Sequence, residues 1–221
     1  MSLTVIKLAS ILGAISLLLT NCSRYKESVH KVLSPPYYPK NFKQNKTISN
    51  SINRVLVLPV SYHEEGHDFL DRLDIAVFEF FKRMGVAETI RVSRSYMSNK
   101  FGFESIPHYQ LLPHHFLSLL QDEYQGDAIL FTHVSAYDPY KPIAIDLNAK
   151  LVSIDGTENI WAFDESFDSG HLSVKMGAIR HQEKYGGQNY PIYNGDSVLQ
   201  SPHRFAKYAI FTMFKTLPKK L

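Results

Sequence analysis

The hydrophobic positions along this chain change period several times, and each change marks an element. RVLVLPV (residues 54–60) is a nearly unbroken run of β-branched residues and Leu, which predicts a strand buried on both faces. From Phe69 the period lengthens. Phe69, Leu70, Leu73, Ala76, Val77, Phe80, Phe81 and Met84 recur at three and four, with Asp71, Arg72, Glu79, Lys82 and Arg83 opposite, so an amphipathic helix should run to Gly85. ETIRVS (88–93) reads as a short strand, and HHFLSLLQDEYQ (114–125), behind Pro113, as a second helix. DAILFTHVSAY (127–137) has the make-up of a central strand. After the link DPYKP, IAIDLNAKLVSID (143–155) alternates strictly: Ile143, Ile145, Leu147, Ala149 and Leu151 against Asp146, Asn148 and Lys150. One face should be buried and the other wet. Asp155-Gly156 opens a hairpin turn into NIWAFDESFD (159–168), where Trp161, Phe163 and Phe167 share a face.

Beyond Gly170 the pattern fades: HLSVKMGAIRHQEKY carries a weak helical signal, and GGQNYPIYNGDSVLQ reads as a loop. The chain closes on SPHRFAKYAIFTMFKTL, with Ser201 as N-cap, Pro202 at the first helical position and an apolar stripe of Phe205, Ala209 and Met213 flanked by Tyr208, Ile210 and Phe214. The order predicts an α/β domain of α+β character, residues 54–221. Its mixed five-stranded sheet runs β-α-β-α-β-β-β and is followed by a C-terminal helix. The first three strands should be parallel and the last connections antiparallel. Trp161 should be buried against the helix of residues 69–84.

The first residues add a targeting segment. One Lys (Lys7) precedes an apolar run over residues 8–19, then Thr20-Asn21-Cys22, the outline of an export signal over residues 1–21. The run is shorter than the roughly 20 residues of a comfortable membrane span. Leu19-Thr20-Asn21-Cys22 resembles the lipobox of bacterial lipoproteins, whose Cys becomes the acylated N-terminus. Asn21 departs from the small residue usual before that Cys. Ser23, in place of the Asp that retains such proteins in the inner membrane, favours the outer membrane. The alternative is a free Cys at the end of an uncleaved signal anchor. Residues 22–53, with Pro35, Pro36 and Pro39 and no sustained period, read as a tether with a reach of roughly 30 Å. The competing reading is an arm that docks through Tyr37, Tyr38 and Phe42.

Charge and composition narrow the function. The net charge of +3 is spread without a basic block, which argues against a nucleic-acid partner, and one Cys excludes an internal disulfide and a thiolate-rich zinc cluster. His63-Glu64-Glu65-Gly66-His67 matches the H-E-x-x-H pattern of zinc proteases, which needs both His one helical turn apart. It falls between a strand and the start of a helix, contains Gly66 and has no third ligand at a fitting spacing, so a solvated loop is the expectation and a zinc-dependent hydrolase the alternative. His114-His115 read as first-turn residues, His133 as a hydrogen-bonded sheet residue, Gly186-Gly187 as a turn, and Asp164, Glu165 and Asp168 as hydrated carboxylates rather than an acid pair. No cofactor, metal or small-molecule substrate is expected, and a binding protein is expected rather than an enzyme.

Residues 126–170 also carry a resemblance. Asp127, Ala128, Tyr137, Pro139, Tyr140, Pro142, Asp155, Gly156, Ile160 and Trp161 fit a module of bacterial envelope lipoproteins that runs from an apolar strand through a Y-x-P-Y-x-P link and a long alternating strand to a D-G turn and a Trp. With RVLVLPV and the helices between, residues 54–170 resemble the α/β domain of penicillin-binding-protein activator lipoproteins, the N-terminal domain of TolB and the periplasmic part of CsgG. The resemblance implies a lipid-tethered adapter, held to the membrane by its anchor and facing the periplasm, that binds another envelope protein. A secretion-channel subunit is the alternative it leaves. Tyr137 and Tyr140 are the candidate partner contact, unless they cover the end of the sheet.

Overall fold

The computed structural model describes residues 35, 37–45, 47–63, 67–186 and 195–220. The proposed signal segment and Cys22 lie outside them, as do residues 64–66 of the HEEGH stretch and Gly187.

Eight strands and five α-helices are described: β1 (Phe42–Gln44), β2 (Thr47–Ile48), β3 (Arg54–Val57), α1 (His67–Met84), β4 (Glu88–Arg91), α2 (Arg94–Phe101), α3 (Phe116–Tyr124), β5 (Ala128–Asp138), β6 (Ala144–Ser153), β7 (Asn159–Asp168), α4 (Leu172–Tyr185), α5 (Pro202–Phe214) and β8 (Lys219–Lys220), with a 3₁₀ turn at Gly195–Gln200 before α5. Six strands form one mixed sheet in the order β1-β7-β6-β5-β3-β4, and β2 pairs with β8. β3 runs parallel to both β4 and β5, and β5, β6 and β7 form an antiparallel meander. The predicted fold class therefore holds, with six strands in the main sheet where five were expected.

The sixth strand comes from the stretch read as tether. Phe42–Gln44 pairs with β7, Phe42 opposite Phe163 and Gln44 opposite Trp161. Glu165 holds the arm in place, its carboxylate accepting from the Tyr37 hydroxyl at 3.0 Å and from the backbone amides of Lys40 and Asn41 at 2.8 and 2.9 Å. A three-residue strand with no buried residue shows no period, so composition alone reads it as linker.

The periodicities explain the layers. Val55 and Val57 of β3 pack into the larger core with α1, α4 and α5, while Leu56 and Leu58 face a smaller one with α2 and α3. β3 is thus buried on both sides, as its unbroken apolar run requires. In β6 burial alternates residue by residue. α1 sets Leu70, Leu73, Val77 and Phe81 into the larger core, each contributing about 1.5–3 kcal/mol by burial, and ends at Gly85, whose φ of 66° suits a residue without a Cβ. α5 is buried nearly all round. Its N-cap is as predicted, the Ser201 hydroxyl accepting from the Arg204 amide at 3.4 Å.

Trp161 is fully buried, its ring 5.9 Å from that of Phe163 on its own strand and closed over by the end of α5 and the residues after it. Its ring lies 6.1 Å from that of Phe214 and its indole N–H donates to the Thr216 hydroxyl at 3.0 Å. α1 stands one ring further out, with Phe81 5.5 Å from Phe214. Among the described residues, no helix is long and apolar enough to cross a membrane.

Candidate functional site

Two histidine-centred places stand out. The first lies where β3 ends, between the parallel neighbours β4 and β5, a position at which open α/β sheets often bind ligands. The Val60 peptide is clamped there from both sides. Its N–H donates to Asp74 Oδ1 at 2.7 Å, and Arg94 Nη2 donates to its carbonyl at 2.7 Å. Arg94 in turn pairs with Asp74, Nε to Oδ2 at 2.8 Å. Burial raises the pKa of Asp74, against the pull of Arg94 and the Val60 amide.

Just beyond, Ser61 Oγ sits 2.9 Å from His133 Nδ1, and His133 Nε2 sits 3.2 Å from the Tyr109 hydroxyl. A Ser beside a His invites comparison with a nucleophile and its base. The geometry argues otherwise. Ser61 and His133 are 4% and 5% exposed, both ring nitrogens are engaged, and the second partner is a tyrosine rather than a carboxylate. Burial, and to a smaller extent the nearby His108 and His63, hold the His133 pKa below its ordinary value. The expectation of a hydrogen-bonded sheet histidine is met.

Other residues singled out in the sequence take structural places. Glu165 holds the arm. Asp164 accepts from the Asn148 side chain at 2.9 Å, and Asp168 accepts from the Gly170 amide at 2.6 Å. His115 precedes α3 in the left-handed region with its ring 3.8 Å from that of His114. Gly186 caps α4, its amide donating to the Gln182 carbonyl. His63 is exposed and α1 starts at His67, so the H-E-x-x-H pattern straddles the helix start. Among the described residues no three His, Cys, Asp or Glu side chains gather as a metal site would need.

The two candidate contact tyrosines are separated. Tyr137 stacks on Phe69 of α1 with ring centroids 4.1 Å apart, and burial pushes its pKa up to about 12. It covers the end of the sheet. Tyr140 is 78% exposed on the loop between β5 and β6.

The second place is an open cleft of about 400 Å³ between the N-terminal arm, α4 and α5. Tyr37, Tyr38 and Phe42 form one wall. α4 contributes Gly177, Arg180, His181, Lys184 and Tyr185, and α5 contributes Tyr208, Phe211 and Thr212, with Lys215 as its C-cap. These are helical stripes, at i, i+3, i+4, i+7 and i+8 on α4 and at i, i+3, i+4 and i+7 on α5. Gly177 lets the two helices approach, since a Cβ there would run into the Tyr208 hydroxyl. His181 stands in the middle, its ring 4.4 Å from Phe211 and 5.0 Å from Tyr185. Burial, helped by the Lys215 charge, lowers its pKa to about 4, and its Nδ1 is buried without a hydrogen-bond partner. Lys184 and Lys215 rest on the rings of Tyr185 and Phe211, at 5.1 and 4.5 Å. No pattern in the sequence marks this cleft. The basic and aromatic stripe on α4 was visible, but its other half comes from an arm that carried no strand signal.

No protein-family model and no curated protein matches the chain. Solved structures similar to it include the PelC dodecamer from Paraburkholderia phytofirmans, 9% identical over 81% of this chain and 97% of that one, with a TM-score of 0.47. Lipoprotein GNA1162 from Neisseria meningitidis is 15% identical over 60% of this chain and 98% of that one, TM-score 0.43. The C-terminal domain of LpoB from Salmonella enterica is 13% identical over 53% of this chain and 86% of that one, TM-score 0.33. A bacterial lipoprotein is among the solved structures this chain resembles, a likeness of fold.

Proposed function

We propose that the protein is a lipid-anchored lipoprotein of the cell envelope, acylated at Cys22, whose α/β domain binds a partner protein in the periplasm and does no covalent chemistry. The observation that carries this reading is the place of the only cysteine, separated by Thr20-Asn21 from an apolar run too short to span and followed by a Pro-containing stretch that leads to the domain. The satisfied state of the Ser61–His133–Tyr109 cluster supports a binding rather than a catalytic role. Because the arm is docked from Tyr37 onward, the link from Cys22 to the domain is shorter than the sequence implied. Its fifteen steps span at most about 50 Å when fully extended. In this reading the link leaves the domain beside the cleft, which keeps the arm, α4 and α5 within that distance of the membrane. Ser23 favours the outer membrane as its place.

Intact mass and membrane fractionation of wild type against Cys22→Ser test the proposal. The expected result is a mature chain beginning at an acylated Cys22 in the membrane fraction, and an unprocessed Cys22→Ser precursor with the same circular dichroism. A wild-type chain that carries no lipid and begins at another residue would replace the lipoprotein with a free periplasmic protein.

A further inference from the structure

We propose that the cleft between the N-terminal arm, α4 and α5 is a binding site for a small planar organic anion, such as an aromatic carboxylate, whose ring lies among Tyr37, Tyr208 and Phe211 and whose charge meets Lys184 and Lys215. This goes beyond the adapter reading and does not depend on it.

Three observations converge. The volume, about 400 Å³, lies in the range of sites that hold one small molecule. The lining includes Arg180, Lys184 and Lys215 and not one carboxylate. Neither Lys184 nor Lys215 forms an ion pair among the described residues. Each ammonium lies over an aromatic ring, which leaves N–H donors for an anion. Finally, the buried Nδ1 of His181 has no partner, although buried polar atoms are nearly always paired. The aromatic walls favour a flat apolar body over a small inorganic anion, since stacked rings add attraction beyond area burial. The unpaired lysines favour an anion over a neutral ring.

The test uses the full chain in lipid nanodiscs, with empty nanodiscs as the blank, and 6-fluoro-2-naphthoate as the probe followed by fluorine NMR. Saturable binding to one site per chain is expected, displaced by unlabelled 2-naphthoate. The neutral isostere 2-naphthalenemethanol and the ringless anion acetate should each compete at least tenfold more weakly. Lys184→Glu with Lys215→Glu should weaken the probe at least tenfold, while Lys100→Glu, on the exposed side of α2, should not change it. Circular dichroism and thermal unfolding of each variant separate loss of the site from loss of the fold. Non-saturable uptake, equal binding of the neutral isostere, or full affinity in the folded double variant would each overturn the proposal. A partner-binding assay would be untouched by any of these results, so the adapter reading stands or falls separately.

Discussion

His133 and His181 are both largely buried, and burial lowers the pKa of both, yet their surroundings differ in kind. His133 lies on β5 with Ser61 on one ring nitrogen and Tyr109 on the other. His181 lies on α4 among three aromatic rings, with Nδ1 unpaired and lysines at hand. A buried polar atom that finds its partner inside the fold contributes to stability. One that finds none incurs a desolvation cost. The end of β3 is therefore read as structure and the α4–α5 cleft as a place to bind.

The largest effect should appear at the first place, where Arg94→Met leaves Asp74 buried without its cation and frees the Val60 carbonyl. Breaking a buried pair from one side typically costs about 3–5 kcal/mol. Urea unfolding should show a loss of that order, with part of it recovered when Asp74→Asn is added. A loss below about 1 kcal/mol would mean that the clamp on Val60 is not what holds the end of β3.

Next come the histidines themselves. His133→Leu leaves the buried Ser61 hydroxyl with only the longer 3.3 Å bond to the Thr132 carbonyl, while Tyr109, 67% exposed, turns to water, so about 1–3 kcal/mol should be lost. His181→Leu removes an unpaired buried nitrogen and keeps an apolar side chain in place. At pH 7 it should be neutral or slightly stabilising. Equal losses at both positions, measured by the same unfolding curves, would erase the contrast between the two sites.

Acid sharpens the contrast. His181 has a folded-state pKa of about 4 against about 6.5 when unfolded, so as pH falls through 6.5 the unfolded chain takes up a proton that the folded one refuses. Stability is lost between pH 6.5 and 4 and levels off below. With the partial exposure of the ring discounted, the change is of order 1–2 kcal/mol. His181→Leu should narrow the difference in unfolding free energy between pH 7 and pH 4.5 by that amount. The other histidines with lowered pKa, His108, His133 and His203, contribute in the same direction and remain in the variant.

Much of the sheet was legible because its burial is periodic. β6 alternates from Ala144 to Val152 and β3 is apolar after Arg54, so their faces and neighbours followed from spacing. α2 was missed because only Met97 of its eight residues is buried, and what defines it is local: the Ser93 hydroxyl accepting from the Tyr96 amide and Gly102 capping its end at φ 81°. β1 was missed because its partners lie more than a hundred residues away, on β7, and because the Glu165 carboxylate that fixes it looked like a hydrated charge. The cleft needed that arm. A helical stripe such as Arg180, His181, Lys184 and Tyr185 shows that α4 presents basic and aromatic groups on one side, but not that a wall stands opposite them.

The smallest effect belongs to Tyr140. It shares the Y-x-P-Y-x-P link with Tyr137, yet only Tyr137 packs, on Phe69. The backbone amide of Tyr140 donates to Asp138 Oδ1 at 2.9 Å, and its ring is exposed. Tyr140→Ala keeps that amide and should change stability by no more than about 0.5 kcal/mol, whereas Tyr137→Ala, which opens the edge of the larger core, should cost clearly more. Thermal unfolding of the two variants side by side decides it. If Tyr140→Ala proved as damaging as Tyr137→Ala, the exposed ring would have a structural task in the free domain. If it is silent, the side chain is free to serve as the partner contact that the adapter reading assigns to it.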